Sequence, residues 1–188
     1  PKILDDALDT LVVPGFSRIG YLVRAGQFDP LGNNALAGKT IVITGPTSGL
    51  GKAAAHQLAA MGADLILVGR SAEKLERTKS ELVQSAETQK FEIVVADMGD
   101  LDAVRKASQL ILESTTTLHA LIHNAGALLK TREESPQGYE TTIATHVLGP
   151  HQMTTDLLPL LRSSSGRVIT VSSGGMYGAT LPNIAGNQ

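Results

Sequence analysis

The apolar and polar positions of this chain change rhythm near Lys39. From there, short apolar runs alternate with longer stretches in which apolar residues return every three or four positions. Thr40-Ile41-Val42-Ile43-Thr44, Asp64-Leu65-Ile66-Leu67-Val68, Phe91-Glu92-Ile93-Val94-Val95, Leu118 to Ile122 and Arg167-Val168-Ile169-Thr170-Val171 read as strands. Between them, Leu50, Ala54, Leu58 and Met61 mark the buried face of one helix. Leu75, Leu82 and Ala86 mark a second, and Leu101, Val104, Ala107 and Ile111 a third. A longer helix is predicted from near Gln137 to Leu161, with an interruption near Gly149-Pro150. Apolar strands separated by helices predict a parallel sheet covered on both faces. Right-handed crossovers make this the doubly wound α/β class, a parallel Rossmann sheet with helices on both faces.

Residues 1–37 stand apart as an N-terminal arm. Leu4, Leu8, Leu11 and Val12 recur at helical spacing beside Asp5, Asp6 and Asp9, which predicts a short amphipathic helix ended by Pro14-Gly15. Ile19, Leu22 and Val23 suggest a second short piece before Pro30-Leu31-Gly32-Asn33-Asn34. The plainer expectation is an arm packed on the domain. A substrate-mouth element or peripheral membrane contact is the alternative, and the short apolar face and acidic polar face argue against anionic lipid. Residues 38–188 read as a nucleotide-binding domain incomplete at its C-terminus. A sheet stopping at its fifth strand would leave an apolar, unpaired edge. Further strands and helices are therefore expected after Gln188, or cover from another chain.

Composition narrows the classes. With 188 residues, 42% hydrophobic and 18% charged, the chain suffices for one sizeable core. Its net charge of -2, without a dense basic block, argues against a nucleic-acid surface. Three phenylalanines, three tyrosines and no tryptophan leave no aromatic platform for single strands either. The absence of cysteine excludes disulfides and cysteine-ligated metal, and cytoplasmic localisation is the default expectation. No run approaches the roughly 20 apolar residues a membrane-spanning helix needs. His119 and His123, four apart in a strand pattern, and His146 and His151 lack an assembled carboxylate partner, so no metal site is expected.

The chemistry is carried by the strand ends. Thr44-Gly45-Pro46-Thr47-Ser48-Gly49-Leu50-Gly51 follows an apolar strand and opens a helix, the setting that gives a glycine motif meaning. Gly45 can make the tight turn, while Gly49 and Gly51 let the backbone approach a pyrophosphate. The helix beginning near Leu50 points free amides at anionic oxygens, and Thr47 and Ser48 add hydroxyl donors. Lys52 does not stand in the Gly-Lys-Ser/Thr order of a triphosphate loop, so nucleotide hydrolysis is the poorer reading. The second strand runs into Val68-Gly69-Arg70-Ser71. Arg70 there, with Lys52 or Lys74 assisting, suits a 2′-phosphate better than bare ribose hydroxyls; NADP(H) is favoured over NAD(H). Asp97 and Met98 follow the third strand near the place of an adenine. Asn124-Ala125-Gly126 follows the fourth, where small residues let a cofactor pass close.

Together, Thr44 to Gly51, Asp97, Asn124-Ala125-Gly126 and Ser172-Ser173 resemble the short-chain dehydrogenase/reductase family, most closely its retinol-dehydrogenase-like branch. The likeness covers about Lys39 to Met176. It implies hydride transfer between nicotinamide and a small-molecule carbonyl or alcohol. A tyrosine serves as general acid/base, a lysine four residues on lowers its pKa, and a serine orients the substrate oxygen. Ser173 matches that serine, with Ser172 the runner-up. Homo-oligomers built through the long helix are also implied.

Two departures stand out. Where many members carry Asn in Asn-x-Leu-Gly, a support for the lysine through a water, this chain has His146-Val147-Leu148-Gly149. An imidazole can donate and accept, so His146 can preserve the relay or be a packed histidine. Second, Tyr139 and Tyr177 are followed four residues later by Ile143 and Leu181, so neither heads a tyrosine–lysine pair. That pair is expected beyond Gln188, with Gly174 to Gln188 the start of a substrate loop. The alternative is a catalytically inactive nucleotide-binding or regulatory protein of the same fold, or a partial product dependent on a partner.

Overall fold

A computed structural model describes residues 17–26, 32, 34–86 and 89–173. Five parallel strands form one sheet in the order β3-β2-β1-β4-β5. They are β1 (Thr40–Thr44), β2 (Asp64–Gly69), β3 (Phe91–Val95), β4 (Ala120–His123) and β5 (Arg167–Thr170). The described helices are α1 (Arg18–Ala25), α2 (Gly49–Ala60), α3 (Ala72–Ser85), α4 (Leu101–Ser114) and α5 (Gly149–Ser163). The described residues fall into two units. Gly32–Val171 holds the whole sheet, and α1 and Ser172-Ser173 belong to the other. The predicted helix over Leu4 to Val12 lies outside the described residues. Ile19 to Val23 fall in α1, on which Tyr21 and Leu22 are exposed.

Strands β1 to β4 alternate their side chains between two cores, as a period of two requires. On one face Val42, Ile66, Val68 and Leu121 pack with Val104, Ala107 and Ile111 of α4 and with Met153, Leu157 and Leu161 of α5. On the other, Ile41, Ile43, Leu65 and Leu67 pack with Ala55 and Ala59 of α2 and with Leu75 and Leu82 of α3. Small alanines on α2 let that helix lie close to the sheet. β1 is the centre, paired to β2 through Thr40↔Asp64 to Thr44↔Val68 and to β4 through Ile41↔Ala120. The sheet order reverses beside β1, between α2 and β4. In such sheets ligands bind at the carboxyl ends of the strands at that point.

The long helix begins later than its pattern predicts. Gln137 lies in a hairpin, and Glu140 starts the helical run by accepting the N–H groups of Thr142 at 2.9 Å and Ile143 at 2.8 Å. These bonds hold its carboxyl below the usual range. A single α-turn at Thr141–Ile143 leads into a π-helical segment, Ala144–Leu148, and then into α5. Pro150 has no N–H to give the carbonyl four residues earlier, and Gly149 bonds instead five residues back to Ala144. The interruption expected near Gly149-Pro150 is thus a widened turn rather than a break.

Candidate cofactor-binding site

After β1 the chain must turn sharply into α2. Gly45 stands at φ +68° and Gly49 at +52°, a backbone region costly for any side chain. A Cβ on Gly45 would lie 2.9 Å from the Cα of Ala125, and one on Gly51 would run into the Gly45 carbonyl and the Asn124 amide. Nothing lies within 4 Å of the place a Cβ on Gly49 would take. The helix start is also open. Ser48, at the N-cap of α2, makes no side-chain capping bond, whereas Ser71 and Asp100 cap α3 and α4. Uncapped first-turn amides favour an anion.

The turn is fixed to the end of β4 from behind. The Thr44 hydroxyl accepts the N–H groups of Asn124 and Ala125, both at 3.0 Å. The Asn124 side-chain amide donates to the carbonyls of Thr44 and Gly45, both at 3.1 Å. Asn124 borders the cleft, yet its amide hydrogens are engaged in joining two strand ends. Thr44 ends the strand and opens the glycine motif in the sequence; nothing there signals that its hydroxyl bridges to residues 80 positions away.

In front of these strand ends lies a cleft of about 690 Å³, a volume in the range of small-molecule sites. Gly45, Thr47, Ser48, Leu50 and Gly51 make one wall. Arg70, Ser71 and Lys74 stand at the end of β2. Lys52 is elsewhere engaged: its Nζ lies 2.6 Å from Glu81 Oε2, and that bond draws the Glu81 carboxyl below its usual range. Of the two lysines considered beside Arg70, Lys74 is therefore the one in the cleft. Asp97 and Met98 line the floor after β3, where Asp97 Oδ1 accepts the Gly99 N–H at 2.8 Å. The Met98 side chain is buried in the core. Ala125 and Gly126 complete the lining beyond β4. A further wall, not foreseen from the pattern, comes from Glu133 to Pro136 with Thr141 and Thr145.

The glycine cradle, the uncapped α2 terminus and the cations at the end of β2 fit a dinucleotide. Gly45 and Gly51 with Thr47, Ser48 and Leu50 would hold its pyrophosphate, whereas Gly49, also expected there, supplies the positive-φ turn and does not line the cleft. Arg70 and Lys74 would meet a 2′-phosphate.

His146 lies with its ring against the next turn. Its Nε2 is 3.1 Å from the Ala127 N and 3.0 Å from the Ala127 O, and a Cβ on Gly126 would meet its Cε1 at 2.7 Å. Ser172 and Ser173 follow β5, are exposed, and belong to the other unit. Tyr177 and the rest of Gly174 to Gln188 lie outside the described residues. His119 and His123 have separate partners: His119 Nδ1 accepts the Thr40 N–H at 3.1 Å, and His123 Nε2 meets the Thr154 hydroxyl at 2.8 Å. His123 is buried, which pushes its pKa down to about 4.

This fold, with a phosphate cradle at the reversal of strand order, defines a dinucleotide-binding protein of the Rossmann class. The match to the short chain dehydrogenase family extends over residues 39–181, and the chain belongs to that family. It is 36% identical over 163 residues to the Bos taurus dehydrogenase/reductase SDR family member 12, covering 86% of this chain and 51% of that protein. Against Bos taurus retinol dehydrogenase 12 the identity is 36% over 141 residues, covering 73% of this chain and 44% of that protein. The chain thus spans about half the length of these curated relatives. A short chain dehydrogenase from Escherichia coli CFT073, solved in complex with NADPH, superposes with a TM-score of 0.65. It is 30% identical, covering 77% of this chain and 62% of that one. Among the described residues no helix is long and apolar enough to cross a membrane.

Proposed function

We propose that the protein is an NADP(H)-dependent oxidoreductase acting on a carbonyl or alcohol, of the retinol-dehydrogenase-like branch of its family. The observation that carries this is the cleft itself, with a glycine turn too tight for a Cβ at one wall and Arg70 and Lys74 at the end of β2. The branch rests on 36% identity to two of its members. NADPH in the Escherichia coli relative supports the cofactor.

When bound, the nicotinamide supplies or takes up the hydride. The chain's own groups bind and orient. The main-chain N–H groups at the open start of α2, beside Gly45 and Gly51, would receive the pyrophosphate, and Arg70 and Lys74 would neutralise the 2′-phosphate. Asp97 and Met98 flank the adenine, and Asn124 locks the two strand ends that frame the cleft. Ser173 orients the substrate oxygen, and His146 supports the turn after β4. The family resemblance assigns proton transfer to a tyrosine–lysine pair, and none of the three tyrosines in this sequence is followed by lysine four residues on.

The test is binding followed by turnover, read separately. NADPH titrated into the full-length protein is expected to bind more tightly than NADH. Arg70→Glu is expected to weaken NADPH by at least about tenfold, the scale of one charge-assisted contact, and to spare NADH. Equal affinities in both proteins would sink the NADP(H) assignment. Binding without turnover of any carbonyl or alcohol would favour the nucleotide-binding regulatory reading.

A further inference from the structure

One wall of the cleft is tied, by a side chain in its own turn, to a helix some 35 positions earlier in the chain. Glu133 to Glu140 form a small hairpin, closed by an antiparallel bridge between Glu134 and Glu140. Inside it Ser135 N–H donates to the Tyr139 carbonyl at 2.7 Å, and Tyr139 N–H donates to the Ser135 hydroxyl at 3.2 Å. Gly138 takes φ +79° to complete the turn. Thr141 N–H donates to the Glu133 carbonyl at 2.9 Å, tying the hairpin base to the helix that follows.

Gln137, in the turn of this hairpin, reaches across to the first turn of α4. Its Oε1 accepts the Leu101 N–H at 3.2 Å, and its Nε2 donates to Asp100 Oδ1 at 2.8 Å and Asp102 Oδ2 at 3.3 Å. The bond to Asp100 is the largest influence holding that carboxyl below its usual range. One amide thus joins hairpin to helix through both its oxygen and its nitrogen.

What this joint borders gives it a consequence. Glu133, Glu134, Ser135 and Pro136 line the cleft, as does the turn Asp97 to Asp100. The strand order fixes which end this is. With the pyrophosphate over the β1–α2 turn, the half of a dinucleotide that meets Arg70 runs toward β2 and β3. Arg70 is the 2′-phosphate partner, so that half is the adenosine.

We propose that Gln137 is a positioning residue for the adenosine end of the cofactor, holding the Glu133–Glu140 hairpin at the distance from Asp97–Asp100 that the adenosine half requires. This rests on the NADP(H) reading. Gln137 is not among the residues that line the cleft; it acts through the hairpin.

The experiment compares wild type, Gln137→Ala and Gln137→Lys in the full-length protein. The probes are NADPH, 2′,5′-ADP as the adenosine half and reduced nicotinamide mononucleotide as the other half. In Gln137→Ala, affinity for NADPH and 2′,5′-ADP is expected to fall together by about tenfold, the scale of one lost bond to a charged group. Affinity for the mononucleotide stays unchanged. Gln137→Lys, whose ammonium can meet Asp100 and Asp102, recovers most of the loss. A lower melting temperature with unchanged affinities overturns the proposal. So does equal loss for all three ligands, which would mean general loosening. If wild type binds neither NADPH nor 2′,5′-ADP, the NADP(H) reading itself falls, a result distinct from a silent Gln137→Ala.

Discussion

At the scale of single residues, His123 makes the sharpest prediction. It is 5% exposed, its pKa is lowered from 6.5 to about 4 by burial, and its ring bonds Thr154. Between those two values the unfolded chain binds a proton that the folded one refuses. The stability associated with His123 is therefore present above pH 6.5 and lost as pH falls toward 4, by up to about 3 kcal/mol. Denaturant melts across pH 7 to 4 should show that fall, and His123→Gln should flatten it; parallel curves would refute the assignment. A second prediction concerns Gly51. Gly51→Ala places a methyl against the Gly45 carbonyl and the Asn124 amide. Loss of NADPH binding is expected, together with a stability cost of about 1–3 kcal/mol measured by thermal melting. The site was legible where chemistry is local. Gly45, Gly51 and Arg70 announce themselves because a turn or a charge at a strand end has few other uses. Thr44 and Gln137 do not, since a strand-terminal threonine and a hairpin glutamine look alike whether or not they reach across the fold.

At the scale of elements, strands were easier to read than the long helix. β1 and β2 are apolar runs buried on both faces, which leaves such a run few alternatives. β3 keeps enough apolar residues to read as a strand although Glu92 and Val95 are exposed. The start of the long helix was misplaced because Gln137 continues an acceptable helical pattern. The local competitors, Gly138 at positive φ and Glu140 as the true cap, decide the matter. Gly149 carries more than its place beside Pro150 suggests. A Cβ there would run into the Met98 carbonyl, so α5 can pack on the Asp97–Gly99 turn only through glycine. Gly149→Ala is expected to push helix and turn apart and to cost about 1–3 kcal/mol, despite alanine's better helix propensity. Since Met98 lines the cleft, NADPH affinity should fall in the same variant. A rise in melting temperature would mean that propensity outweighs the contact.

At the scale of the whole sheet, stability cannot be uniform. β1 is hydrogen-bonded on both sides, and Val42 and Ile43 are fully shielded from solvent. Among the described residues β5 pairs with β4 alone, and every residue from Arg167 to Thr170 is exposed, with Val168 at 44% and Ile169 at 45%. Local opening is least costly where few apolar contacts and few ladder bonds must break. β5 should therefore open without the rest of the sheet, while β1, β2 and β4 open only on global unfolding. Hydrogen exchange on the 188-residue chain would show Val168 to Thr170 amides exchanging well before those of Ile41 to Ile43. NADPH should slow exchange in the turns after β1 and β4, which it would contact directly, and leave β5 fast. At a ligand concentration about 100 times the dissociation constant, mass action adds about 2.7 kcal/mol to global unfolding. β1 amides, which exchange by that route, should slow accordingly. If β5 proves as protected as β1, its exposed residues are covered by something other than the elements described, and the sheet behaves as one cooperative unit.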